Sequence, residues 1–160
     1  MRPMRRYDHC MPPEETEAFL GSAEVLRLGM SDEHGPYVVP VNFGYADGMI
    51  YLHGPGEGRR LDAIAANPRV CFEADECEII SADRPCGFTA RFKSVIGYGS
   101  ARVLTTPAEK RAGLDVIMRQ YGSTGDGIPD ATLRRTTVVA IEIESMEGKW
   151  HNQPGAGERD

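Results

Sequence analysis

Residues 36–54 hold the feature that most narrows what this chain can fold into. The run PYVVPVNFGY alternates, with Tyr37, Val39, Val41, Phe43 and Tyr45 on one face and Val38, Pro40, Asn42 and Gly44 on the other. Asp47–Gly48, a dipeptide suited to a tight hairpin turn, then sends the chain back through MIYLHG. Two such runs joined by so short a turn pair antiparallel, since parallel strands need a long crossover. Further β-type segments read at residues 23–31, 69–75, 87–104 and 136–146. Helical stretches fall only at 13–20, 57–66 and 106–121. This order does not alternate strand and helix. It predicts a mainly β fold, an antiparallel sheet of about six strands closed into a barrel, with the helices peripheral.

Local signals set the boundaries. Pro12–Pro13, followed by Glu14, Glu15 and Glu17, suits the start of the first helix. Asn67–Pro68 ends the second, because a residue before proline disfavours the α conformation. Thr106–Pro107–Ala108–Glu109 is a capping box for the third, which carries a stripe of Leu114, Ile117, Met118 and Tyr121 and stops at Gly122. Gly97 and Gly99 predict a bulge or a close backbone approach in the long strand. Residues 78–87 read as a loop, and 123–136 as a Gly-rich loop with one helical turn. Residues 1–151 form one expected domain, with 152–160 a flexible tail.

Composition excludes some functions. The chain has 160 residues, with 18 Lys plus Arg against 24 Asp plus Glu, a net charge of −6. Phosphate neutralisation drives nucleic-acid binding, so this sign argues against a nucleic-acid partner. There is no apolar run of membrane-spanning length and no apolar segment behind the basic start, so the expected compartment is the cytoplasm, without a membrane partner. The four cysteines, Cys10, Cys71, Cys77 and Cys86, are then expected to be reduced. They include no close pair of the zinc-binding type, and no metal site is expected.

The chemistry concentrates in HGPGEGRRLDAIAANP, residues 53–68. A Gly-rich turn leaves a strand and enters a helix with Arg59 and Arg60 in its first turn. The N-terminus of a helix is already partly positive, so two cations there are unfavourable unless an anion binds. The alternative is a solvated turn with Arg59 paired to Asp62 or Glu57, and spacing alone leaves the two readings even. Neither a Walker loop nor the dinucleotide fingerprint is present. His53, taken alone, reads as a polar residue at the barrel rim. There is no GxSxG motif, and Glu142 and Glu144 alternate with Ile141 and Ile143 as an ordinary solvated strand face. With no evident acid, base or nucleophile, an enzyme of this sequence would draw its reactivity from a cofactor.

The run PYVVPVNFGYADGMIYLHGPGEGRRLDAIAANPRVCFE, with RFKSVIGYGSARVL after it, resembles the pyridoxamine 5′-phosphate oxidase-related flavoproteins, above all their 5-nitroimidazole-resistance branch. The resemblance spans about residues 5–149. It implies the FMN-binding split barrel, a homodimer with FMN at the subunit interface, and a reductase taking electrons from a reduced nicotinamide to a small-molecule electron acceptor such as a nitroaromatic. Arg59 and Arg60 match the basic pair that holds the FMN phosphate, and Gly58 stands where relatives often carry serine. Val39, Pro40, Val41 and Asn42 match the strand along the flavin ring. Ser94 and Val95 match the strand lining the phosphate and ribityl chain. His53 matches a histidine beside the flavin, the candidate catalytic residue. Trp150 follows the end of the family pattern, placed to reach the flavin across the dimer. The alternatives are a flavin carrier or sensor without turnover, and a haem-binding split barrel with His53 as ligand.

Overall fold

The computed structural model describes residues 7–124 and 127–151. The expected flexible tail, 152–160, lies outside them, as do residues 1–6. After a 3-10 turn at Tyr7–His9, the elements run α1 (Pro13–Ser22), β1 (Leu26–Asp32), β2 (Gly35–Val41), β3 (Phe43–Ala46), β4 (Met49–Gly54), α2 (Arg59–Ala66), β5 (Arg69–Ile80), β6 (Thr89–Val103), α3 (Pro107–Gln120), α4 (Asp130–Arg135) and β7 (Thr137–His151).

All seven strands belong to one antiparallel sheet ordered β2-β1-β5-β6-β7-β4-β3. The expected class is right, with one strand more than expected. The difference arises at Asn42. The run PYVVPVNFGY is two strands, because Val41 pairs with Leu26 on β1 whereas Phe43 pairs with Leu52 on β4. These strands are the two ends of the sheet, and one residue joins them. The sheet must therefore curl until its edges meet, and it remains split at Asn42. The segment 78–87, expected as a loop, is in part strand: β5 continues to Ile80, paired with Thr89. The last strand also runs on to His151, past the expected end at residue 146.

The interior is filled by the inward faces of the strands. Leu26, Leu28, Phe43, Ile50, Leu52, Phe72, Ala74, Val95 and Ile141 are fully buried there. A second cluster lies on the outside of β4 and β7. It holds Val138, Ala140 and Leu104 under Leu114 and Ile117 of α3 and Leu133 of α4. β7 is thus apolar on both faces over residues 138–141. Gly97 and Gly99 fulfil the expectation of close approach: a Cβ on Gly97 would overlap the Phe72 ring, and the β6–β7 register shifts at Tyr98/Gly99. The capping box of α3 is complete, with Thr106 Oγ1 accepting from Glu109 N at 3.2 Å. The expected stripe on α3 is only half buried, since Met118 and Tyr121 face outward. No helix among the described residues is long and apolar enough to cross a membrane.

Candidate functional site

The loop after β4 is exposed from Pro55 to Gly58 and turns into α2. The helix begins at Arg59, two residues later than expected, because Gly58 is its N-cap with φ 121°. That φ is open to glycine and strained for other residues. The Gly58 carbonyl accepts from the backbone N–H of Leu61 (2.8 Å) and of Asp62 (3.2 Å). No side chain caps this end. The N–H groups of Arg59 and Arg60 have no acceptor within the helix, as for any first turn. Ala63 and Ile64 anchor α2 on the barrel. Ala63 faces inward, whereas Ala65 is exposed.

The two arginines behave differently. Arg59 donates from Nε to Asp32 Oδ2 at 2.7 Å and from Nη2 to Asp32 Oδ1 at 3.1 Å. Its guanidinium also lies over the Tyr37 ring, 4.5 Å from the centroid. The partner is therefore neither Asp62 nor Glu57 but a carboxylate at the β1–β2 turn. The Arg59 hydrogen bonds hold the Asp32 carboxyl down at about 2, against an ordinary 3.8. Arg60 instead donates from Nη2 to the His53 carbonyl at 3.3 Å. Its guanidinium passes so close to Gly54 that a Cβ there would collide with Nη2. α2 follows β4, near one end of the sheet, and packs on β1, near the other. Its arginine pair accordingly spans the split, one residue gripping each side.

The remaining expected residues lie elsewhere. Val39 pairs with Leu28 and is half-buried; Pro40, opposite Arg27, is exposed; Val41 is buried. Asn42 is exposed at the split, and its Nδ2 donates to Tyr121 Oη at 3.3 Å. Ser94 stands between Asp75 and Lys149 on the outward side of β6, and Val95 is buried between Ala74 and Gly148. Trp150 is half-buried opposite Lys93, and its carbonyl accepts from His9 Nδ1 at 3.0 Å. The register separates Ser94 from the level of Asp32 by about seven strand residues, roughly 23 Å. One chain therefore gathers His53, Gly58, Arg59 and Arg60 at one end of the barrel. Asn42, one residue past the Phe43–Leu52 pair, stands next to His53 and is reached along β2 through Val39, Pro40 and Val41, whereas Ser94, Val95 and Trp150 lie toward the other end.

Three side chains that matter here carried no local signal. Asp32 reads as a turn residue, and its partner is 27 positions away. Tyr121 and Gln120, at the end of α3, clasp the split. Tyr121 Oη accepts from Phe43 N–H (3.1 Å) and donates to the Glu24 carbonyl (2.7 Å). Gln120 Nε2 donates to the Leu20 and Ala23 carbonyls, and its Oε1 accepts from Tyr45 N–H.

A cavity of about 420 Å³ opens beside α1 and β1, lined by Phe19, Ser22, Ala23, Glu24, Val25, Arg27, Asp75 and Glu76. None of the expected site residues lines it. Its walls carry three carboxylates against one guanidinium, and Arg27 is already bonded to Glu73 and Asp75. That is the wrong sign for a phosphate.

Residues 12–150 match the family model described as pyridoxamine 5′-phosphate oxidase. No curated protein matches the chain. Among solved structures it is similar to a protein of Bacteroides thetaiotaomicron assigned to 5-nitroimidazole antibiotic resistance, at 29% identity and a TM-score of 0.79, covering 88% of this chain and 85% of that one. The flavocytochrome Anf3 of Azotobacter vinelandii shares the fold at 20% identity and TM-score 0.76, covering 98% and 76%. So does the FAD and haem binding protein of Mycobacterium smegmatis, at 17% and 0.73, covering 89% and 72%. With nearly the whole barrel matched, from the start of α1 to the end of β7, the chain belongs to the pyridoxamine 5′-phosphate oxidase family.

Proposed function

We propose that the chain is an FMN-dependent oxidoreductase whose phosphate site is the start of α2. The observation that carries this reading is the donor set there. Two backbone N–H groups lack a side-chain cap, Arg60 lies beside them, and a glycine N-cap has nothing within 4 Å of where a Cβ would stand. Amide donors, a guanidinium and open room fit a phosphate monoester. Bound there, a flavin would supply hydride and single-electron chemistry that no side chain of this protein offers. The protein's part is to hold the phosphate, orient the ring along Val39, Pro40, Val41 and Asn42, and present His53. The likeness to the Bacteroides protein of 5-nitroimidazole resistance supports a small electrophile, such as a nitroaromatic, as acceptor; the donor in this reading is a reduced nicotinamide.

A homodimer belongs to the same reading. Ser94 and Trp150 lie too far from Arg60 in one chain to share a ligand's phosphate end, so a second copy completes the site. The outward sheet face offers a surface for it, with Val38 63% exposed and Ile96 47% exposed. The test is equilibrium titration of the full chain with FMN and with riboflavin, which has the same ring and no phosphate. Wild type should prefer FMN by roughly 100-fold, the worth of one to two charge-assisted hydrogen bonds. The double variant Arg59→Ala/Arg60→Ala should lose most of that preference while its riboflavin affinity stays. Equal weakening toward both ligands would show that the arginines hold the fold or the ring and not the phosphate.

A further inference from the structure

Adjacent arginines in one helical turn look interchangeable in sequence, yet the structure gives them opposite surroundings. Side chains of consecutive helical residues project about 100° apart. Arg59 points to the β1–β2 hairpin, where its Nε and Nη2 are both used on one carboxylate and its flat face is used on Tyr37. The Asp32 side chain is only 11% exposed and also accepts the His34 backbone N–H at 2.8 Å, so the acceptor is fixed in place. A bidentate arginine–carboxylate pair of this kind is oriented as well as charged. Arg60 has no carboxylate partner among the described residues. Its hydrogen bond is a single one of 3.3 Å to a carbonyl, which leaves its charge uncompensated and most of its donors available.

Resting on the phosphate reading above, we propose that Asp32 withholds Arg59 from the ligand. Arg59 is then a positioning residue that braces the β1–β2 hairpin to α2 across the split, and Arg60 is the one arginine that contacts the phosphate. Asp32 thereby sets how strongly the site distinguishes a phosphorylated flavin from its dephosphorylated form. It cancels one of two positive charges at the helix start, and removing its charge releases Arg59 toward the anion.

The experiment measures the ratio of FMN to riboflavin affinity, together with the thermal unfolding midpoint without ligand, for the full chain and its variants. Arg60→Ala should lower the ratio by at least ~10-fold, approach the double variant within threefold, and lower the midpoint less than Arg59→Ala does, since it loses one 3.3 Å hydrogen bond and not a bidentate carboxylate pair. Arg59→Ala should lower the midpoint and keep the ratio within about twofold of wild type. Asp32→Asn, which preserves the acceptor for His34 N–H, should lower the midpoint and raise the ratio about threefold or more. Combining Arg59→Ala with Asp32→Asn should cost no more midpoint than either alone, since both break one contact. If Arg59→Ala unfolds the chain, Arg59→Lys keeps a charge without the fork and should show the same pattern. A loss of ratio in Arg59→Ala as deep as in Arg60→Ala would overturn the inference and leave the phosphate reading standing, as would a fall in ratio in Asp32→Asn. A wild-type ratio near one would overturn the phosphate reading, and the inference with it.

Discussion

Asp32 shows how a single side chain acquires a pH dependence from a partner. Its carboxyl is depressed to about 2 because the Arg59 hydrogen bonds favour the charged form. A carboxylate whose folded pKa is lowered contributes stability above its unfolded value, and that contribution disappears as pH falls through the folded value. The window runs from about 4 down to about 2. Thermal unfolding of wild type and Asp32→Asn, measured from pH 6 to pH 2, should therefore show a difference in midpoint that is constant above about pH 5 and closes below it. A difference independent of pH would remove the ion pair as its cause. His53 offers a second residue-scale test. Arg60 engages its carbonyl, and its ring is exposed. His53→Ala should keep the bound flavin's yellow colour and change the rate of its reduction or reoxidation in stopped flow. Loss of flavin with unaltered rates on reconstitution would make the residue structural. For Tyr121, the hydroxyl bonds Phe43 N–H and the Glu24 carbonyl at the surface. Tyr121→Phe should cost about 1–2 kcal/mol in urea unfolding.

At the scale of elements, the seating of α3 is the decisive contact. The helix covers the face of β3 opposite Phe43 and Tyr45. Gly44, on that face, is buried, and a Cβ there would stand 2.5 Å from Ile117 N of the helix backbone. A backbone neighbour cannot swing aside as a side chain can. Gly44→Ala should destabilise by about 3 kcal/mol, at the upper end of the usual overpacking cost. Gly21 is the contrast. It lies inside α1 with Tyr45 Cδ1 3.8 Å from the built Cβ, an ordinary contact, so Gly21→Ala should stabilise by about 0.5–1 kcal/mol through helix propensity. Paired urea titrations read both, and a reversal of sign at either position would contradict this packing.

For the whole molecule, the barrel is shut by side chains and helices, not by a closing ladder of hydrogen bonds. β2 and β3 end the sheet without pairing to one another. Arg59 and Arg60 bridge the split at one point and Gln120 and Tyr121 at another. Such a barrel leaves an outward face with large apolar residues, Val38 and Ile96 among them, and it divides the expected ligand contacts between two ends. The two-fold dimer proposed above would resolve both features. Light scattering should give about twice the 17.6 kDa chain mass. Val38→Lys/Ile96→Lys should give a folded monomer with weakened flavin binding; a flavin-loaded wild-type monomer would refute the assembly.

The sequence by itself determined the antiparallel β class, the hairpin at Asp47–Gly48, the capped start of α3 and the glycines of β6. Each of these rests on contacts between near neighbours or on the conformational freedom of one residue. It also raised the α2 start as a candidate site, because two cations at a helix N-terminus conflict with the helix dipole over a few residues of chain, while spacing alone left a solvated turn equally open. Whether PYVVPVNFGY is one strand or two was not legible, since alternation continues unbroken through Asn42. Only the partners decide, and they lie on different sides of the sheet. The pairing of Arg59 with Asp32 was equally out of reach. The two residues are separated by three strands, β2, β3 and β4, and nothing local distinguishes Arg59 from Arg60. The curling of the sheet brings the β1–β2 turn to α2, and that closure alone gives Arg59 a carboxylate partner and leaves Arg60 on a backbone carbonyl.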